Sequence, residues 1–377
     1  MRIFHLVNHC RFGNGNVHAA VDLACAQAAA GHKPVLLSEG GDFVDLLERH
    51  GVAHIVLAQN HRRLPAVVGS VRQLIGHIKA QRPDILHAHM MTGAILGRIA
   101  GTLTGVPLVT TVHNAFDGHS ILMGLGDQVI GVSQAVSGQM GARGISARKL
   151  NTVMNGTRGV ARRQGASRAL VNLQRPSITT VCGLHDRKGV RHLIEAFAFV
   201  SERHLDAHLY IIGEGPSEKD YQAQAAALRH ADRVHFLGQL RDTEAYLRES
   251  DIFALASLQD PCPLVIPEAR EAGCAIVATH VDGIPEMLRI GEAGLTVPPA
   301  DSRALAEGLC HLLENPAALL ASKTASLEGV AYFDIARVER ETREVYGRAL
   351  AGKNRPIPVM TPAPAEAKAD LLSGTNA

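Results

Sequence analysis

Short apolar runs alternate with longer helical patterns along nearly the whole chain, and no other feature constrains the fold as strongly. This is the pattern of a parallel α/β sheet, in which each strand is followed by a helix that crosses back over it. Strands are predicted at 3–7, 34–37, 55–57, 85–87, 108–112 and 128–132, with helices at 17–30, 43–50, 67–82 and 93–105. A second series follows the Gly-, Arg- and Ala-rich stretch 155–175, which lacks sustained periodicity and reads as a linker. Its strands are expected at 177–181, 208–212, 234–236, 252–256 and 275–279, and its helices at 191–203, 217–230, 242–250, 267–272 and 302–315.

The length of 377 residues exceeds the roughly 250 that one core ordinarily supports. We therefore expect two Rossmann-like domains, 1–160 and 161–330, facing each other across a cleft. Residues 331–352 are expected to form a last helix packed back on the first domain, and 353–377 a disordered Pro/Ala-rich tail. In such sheets ligands bind at the carboxyl ends of the strands, so both domains should contribute to one crevice.

Composition narrows the function. Apolar residues make up 46% and charged residues 20% of the chain, and no apolar run approaches the ~18 residues of a spanning helix. The first residues run straight into an apolar strand without the layout of an export signal, and the six cysteines form no CxxC pair. A cytoplasmic protein without a disulfide framework or zinc knuckle is expected. Residues 1–165 hold 16 Lys and Arg against 8 Asp and Glu, whereas the remainder holds 22 against 28. A basic front half attracts anionic partners, an anionic membrane face among them. Nucleic acid is not indicated: aromatics are 4%, the basic residues are dispersed and no binding motif is present.

The most informative stretch runs Asp260-Pro-Cys-Pro-Leu264-Val265-Ile-Pro-Glu268-Ala-Arg-Glu-Ala-Gly273, with Asp282-Gly283-Ile-Pro285-Glu286 after it. Asp260 follows a predicted strand and Glu268 lies near the start of a short helix, so both carboxylates should face the mouth of the sheet. There they can accept hydrogen bonds from a ribose diol or a sugar hydroxyl, while free N–H groups at the helix start, around Leu264 and Val265, favour a phosphate. Val181-Cys-Gly183-Leu-His-Asp-Arg187-Lys188-Gly189 also lies between a strand and a helix, and Lys188 offers the cation a diphosphate requires. Gly213, in Ile211-Ile-Gly-Glu-Gly-Pro216, permits close approach of the backbone to a base or ribose.

In the front half, Gly13 and Gly15 follow the first strand, but His18 stands where the third glycine of G-x-G-x-x-G belongs, which argues against hydride transfer. Asp84-Ile-Leu-His87-Ala-His89 and Thr110-Thr-Val-His113-Asn114 end later strands. His87 is read as structural. A metal site built from His87, His89 and His113 is not expected, on the reading that the first two straddle their strand.

Taken in order, these motifs resemble glycosyltransferase family 4. The paired acids and the Ala-x-x-x-Gly turn match its signature, 181–189 resembles its Gly-Arg-Leu…Lys-Gly motif, and the His87, His89 and His113 sequences resemble its strand-end histidines. The resemblance covers residues 1–350. It implies a GT-B fold, a nucleotide-sugar donor (UDP- or GDP-linked) gripped by the second domain, a saccharide or lipid-linked acceptor on the first, retention of anomeric configuration and no metal cofactor. It further implies that Glu268 grips the nucleotide ribose and that main-chain groups around Leu237 read the base. The loop with Gly13 and Gly15 is then expected across the cleft near the donor phosphates, with His113 and Asp260 closest to the transferred sugar. The sequence departs from the family pattern at Asp260, where Glu is usual, and at Gly183, where Arg is usual, which leaves Arg187 to supply the second cation. A nucleotide-sugar epimerase or hydrolase on the same fold, and a non-catalytic nucleotide-sugar-binding subunit, are the alternatives. The implied role is in cell-envelope polysaccharide or lipopolysaccharide synthesis.

Overall fold

The computed structural model describes residues 1–59, 64–164 and 171–353. Its first sheet holds, among the described residues, seven parallel strands: β1 (Arg2–Leu6), β2 (Lys33–Ser38), β3 (Ala53–Val56), β4 (Ile85–Ala88), β5 (Leu108–Val112), β6 (Gln128–Gly131) and β7 (Leu150–Thr152). They lie in the order β3-β2-β1-β4-β5-β6-β7. The crossovers are α1 (Gly15–Ala29), α2 (Val44–Arg49), α3 (Leu64–Gln81), α4 (Met91–Thr104) and α5 (Gln134–Ala142). β4 and β5 are buried at every position, because helices cover both faces, and their polar residues His87, Thr110 and Thr111 are hydrogen-bonded inside the fold.

The second sheet repeats the plan with β8 (Ser177–Val181), β9 (His208–Ile212), β10 (Val234–Phe236), β11 (Ile252–Leu255), β12 (Ala275–Thr279) and β13 (Leu295–Val297), in the order β10-β9-β8-β11-β12-β13. Its helices are α6 (Val190–Arg203), α7 (Glu218–Ala226), α8 (Glu244–Glu249), α9 (Val265–Glu271), α10 (Ile284–Arg289), α11 (Ser302–Glu314) and α12 (Pro316–Leu327). In α6 the residues Val190, Leu193, Ile194, Phe197 and Val200 recur at helical spacing and form its buried stripe. The two sheets make the GT-B architecture, and each reverses its strand order once, between β1 and β4 and between β8 and β11. Ligand sites of such sheets lie at these switch points.

The last helix, α13 (Ile335–Ala351), follows the second sheet in sequence but packs on the first. Its Val338, Val345 and Tyr346 share a core with Ile3, Ile85, Val109 and Ile130. Asp334 caps it by accepting from the Ala336 amide. The tail expected to be disordered, beyond residue 353, lies outside the described residues. Among the described residues, no helix is long and apolar enough to cross a membrane.

Among the strands and α-helices of the described residues, five carry no expectation from the sequence: α5, β7, α10, β13 and α12. The helix expected over 217–230 is confined to Glu218–Ala226.

Candidate functional site

A cavity of about 480 Å³ opens between the carboxyl ends of the two sheets. From the first domain it is lined by Phe12 to Asn16 and His18, after β1, and by His113, Asn114 and Phe116, after β5. The second domain contributes Gly183, His185, Arg187 and Lys188 after β8, Gly213 and Glu214 after β9, Gln239 to Arg241 after β10, and Asp260 to Val265 with Glu268 after β11. Both switch points thus face one space. Of the residues singled out in the sequence, Gly13, Gly15, His113, Arg187, Lys188, Gly213, Asp260, Leu264, Val265 and Glu268 all line it.

Leu237 does not line this cavity. Its amide donates to the Ile211 carbonyl at 2.9 Å, continuing the β9–β10 ladder, and Gln239 to Arg241 reach the space instead. Gly213, at φ +138°, has its missing side chain directed at the Cys182 carbonyl, so packing between neighbouring strand ends by itself demands glycine there. Gly13, at φ +84°, faces the side-chain amide of Gln239 from across the cleft.

Lys188 Nζ donates to Asp260 Oδ2 at 2.5 Å, and the same oxygen accepts from Ser257 Oγ at 3.0 Å. The side chains are 13% and 6% exposed, so the pair is largely desolvated and each charge depends on the other. Asp260 is held further by its own amide, which donates to Asp282 Oδ2 at 2.7 Å. Arg187 stands exposed at the rim with its guanidinium 5.7 Å from the centre of the Phe116 ring, so a cation of the second domain meets an aromatic of the first.

Glu268 Oε1 accepts from Arg162 Nη2 at 2.7 Å, while Oε2 has no protein partner among the described residues. Arg162 Nε donates to Asp22 Oδ2 at 2.8 Å. This arginine was not singled out in the sequence. The signal in the sequence was the adjacent Arg162-Arg163 pair inside a linker; the fold leaves these side chains only 11% and 17% exposed, where a cation requires an acid beside it. Arg163 meets that requirement through Glu271 at 2.8 Å and Glu244 at 3.1 Å. Burial raises the Asp22 carboxyl to about 6, against the opposing pull of Arg162.

Glu286, quoted with the signature stretch, reaches the other domain: its two oxygens accept from the Gln134 and Ala135 amides at 2.8 Å each. It therefore caps the start of α5 and ties the domains together at the end of the cleft.

His113 is 9% exposed and burial lowers its pKa to about 4, so near neutrality it is an uncharged imidazole. His89 Nδ1 lies 3.2 Å from His113 Nε2. The expectation that His87 and His89 straddle their strand is corrected: their rings stand 4.2 Å apart, because side chains two residues apart on a strand share a face. His5, His87 and His89 bring ligand-type nitrogens within 4.8 Å of one another. All six of those nitrogens are in hydrogen bonds within the protein, so a metal there would have to displace that network.

Comparison with known proteins agrees with this geometry. The family profile described as Glycosyltransferase Family 4 matches residues 13–158, and that described as Glycosyl transferases group 1 matches residues 175–315. The chain is 30% identical over 300 residues to the phosphatidyl-myo-inositol mannosyltransferase of Mycobacterium tuberculosis, covering 73% of this chain and 76% of that protein. It is 27% identical over 328 residues to the glycogen synthase of the same species, covering 80% and 77%. Among solved structures, a glycosyltransferase from Rickettsia africae superimposes with a TM-score of 0.77 at 20% identity, over 93% of this chain and 98% of that one. Anabaena HepE, solved with UDP and glucose, gives 0.75 at 21%, over 92% and 99%. With both halves matched in order and a mannosyltransferase aligned over three quarters of its length, the chain belongs to glycosyltransferase family 4 and is a GT-B glycosyltransferase.

Proposed function

We propose that the protein transfers a hexose from a nucleotide-sugar donor to a saccharide or glycolipid acceptor with retention of anomeric configuration. One observation carries this reading: Lys188, Arg187 and Glu268 from one domain share a single cavity with His113 from the other. The donor diphosphate lies against Lys188 and Arg187, which offset the charge that builds on the leaving group as the glycosidic bond breaks. Glu268 accepts the ribose hydroxyls at its free Oε2. His113 and Asp260 flank the transferred sugar, Asp260 keeping Lys188 in place until the diphosphate competes for the ammonium. Fixed protein cations supply this stabilisation, so the reading calls for no metal cofactor.

The acceptor occupies the first-domain side of the cleft. A glycolipid is supported by the relative whose name gives phosphatidyl-myo-inositol as its substrate, and by the basic excess in residues 1–165, which favours an anionic membrane face on the cytoplasmic side. On this reading the protein works in envelope polysaccharide or lipopolysaccharide synthesis, with UDP- or GDP-linked sugars as donors.

Product analysis tests the reaction. The protein is incubated with UDP-glucose, UDP-N-acetylglucosamine or GDP-mannose, each with and without a membrane lipid extract. Sugar transferred to lipid from one donor, with the anomer retained, is expected. Free sugar or an epimerised donor formed equally without acceptor would instead assign a hydrolase or epimerase, and binding without turnover a non-catalytic subunit.

A further inference from the structure

Behind His113 runs a chain of buried polar side chains that the proposed reaction does not use. His113 Nε2 lies 3.2 Å from His89 Nδ1, His89 Nε2 lies 2.9 Å from His5 Nδ1, and His5 Nε2 lies 2.7 Å from Gln27 Oε1. Gln27 Nε2 donates to Tyr346 Oη at 3.1 Å. That hydroxyl is 2.6 Å from His87 Nδ1, and His87 Nε2 is 2.7 Å from Thr111 Oγ1. The chain begins in the cleft, uses residues of β1, α1 and β4, and includes the last helix, α13, through Tyr346.

Counting hydrogens gives the chain a direction. Burial lowers His5 and His113 to about 4 and His87 and His89 well below the ordinary imidazole range, so near pH 7 each ring is neutral with one N–H. Burial raises the Tyr346 phenol, which keeps its proton. The Gln27 amide decides the rest. Its oxygen faces His5, so His5 donates from Nε2 and accepts at Nδ1. His89 must then donate from Nε2 and accept at Nδ1, and His113 must donate from Nε2. On the other side Tyr346 accepts from the Gln27 amide and donates to His87, which donates to Thr111. With the Gln27 oxygen on His5, each contact from Gln27 through His5 and His89 to His113 pairs one donor with one acceptor, and reversing one of these three rings alone leaves two lone pairs or two donors face to face. His113 Nδ1 has no protein partner among the described residues, and His113 lines the cavity.

We propose that Gln27 and Tyr346 are positioning residues that lock His113 in its Nε2–H tautomer, so that it offers the cleft a hydrogen-bond acceptor suited to a sugar hydroxyl and unsuited to a phosphate oxygen. The sugar as ligand rests on the proposed function; the tautomer rests on the chain of contacts, with the Gln27 oxygen toward His5 and the buried rings neutral.

The test is proton–nitrogen correlation NMR of the full protein with nitrogen-labelled histidine at pH 7, with UDP and GDP titrated into parallel samples. In the unaltered protein the proton is expected on His113 Nε2 and a bare nitrogen at Nδ1. Tyr346→Phe and Gln27→Leu each release the amide constraint and should raise the Nδ1–H fraction of His113 about tenfold, the worth of roughly one hydrogen bond. A proton on Nδ1 in the unaltered protein overturns the proposal by itself, whether or not either variant folds. So does an unchanged single tautomer in both folded variants. An Nε2–H tautomer in a protein that binds neither UDP nor GDP supports the tautomer lock and counts against the proposed reaction.

Discussion

Arg162 holds Glu268: Nη2 of the linker arginine lies 2.7 Å from Oε1 of the carboxylate that faces the cavity. The same guanidinium holds Asp22 of α1 at 2.8 Å, so one side chain joins the first domain, the linker and the donor side of the cleft. Glu268 therefore meets a ligand as an already oriented group, with one oxygen committed and the other without a partner among the described residues. Orientation fixed before binding lowers the cost of ordering the site.

Removing that cation should be severe. Arg162→Met leaves Asp22 and Glu268 buried without their partner, and truncating one member of a buried ionic network costs about 3 to 5 kcal/mol. Urea unfolding should show the loss as a lower midpoint. Arg162→Lys, with one ammonium in place of a fork, cannot satisfy both carboxylates and should recover only part of it.

Acid should destabilise the fold through the histidines. His5 and His113 have folded-state pKa values lowered from 6.5 to about 4, so the stability they contribute is complete above 6.5 and is lost as pH falls through that window. Asp22 acts the other way: its pKa is raised from 3.8 to about 6, and its contribution is present below 3.8 and lost as pH rises through 6. Two imidazoles outweigh one carboxyl. Urea midpoints should fall between pH 7 and pH 4.5, each imidazole accounting for about 2 kcal/mol. A flat profile would contradict their neutrality.

Two glycines of the cavity should respond oppositely to alanine. Gly213→Ala puts a Cβ into the Cys182 carbonyl at a backbone angle that side chains avoid, so a loss of about 2 kcal/mol or more is expected. Gly15 opens α1, and a Cβ there meets nothing within 4 Å. Gly15→Ala should leave stability unchanged or raise it by about 0.5 kcal/mol. Thermal unfolding of the two variants distinguishes them.

Charge asymmetry predicts selective membrane contact. The protein should float with anionic vesicles and not with neutral ones, and added salt should abolish the difference. Equal flotation would remove the electrostatic part of the acceptor assignment.

Much of the framework was legible because buried parallel strands write themselves as short apolar runs: Leu108–Val112 and Ala275–Thr279 are read with their observed bounds. α5 escaped notice because Gln134-Ala-Val-Ser-Gly-Gln-Met-Gly-Ala buries only Val136 and Met140, too few to mark a period. β13 is three residues long, with Leu295 and Thr296 exposed. The motif residues that share the cavity lie in the turns after β1, β5, β8, β9 and β11 or in the first turn of the helix that follows, because the chain must turn there at the sheet's edge. Arg162 escaped because its partners lie 140 and 106 residues away, and only folding brings them together. The pairing of Lys188 with Asp260 was hidden likewise, across 72 residues.

The most direct measurement of the central claim is a thermal-shift titration with UDP-, GDP- and ADP-sugars, run on the unaltered protein, Lys188→Ala and Glu268→Ala. One nucleotide class, at a hundred times its dissociation constant, should stabilise the unaltered protein by about 2.7 kcal/mol, and both variants should lose that shift while remaining folded. Equal shifts in all three proteins would contradict the assignment of this cavity as the donor site.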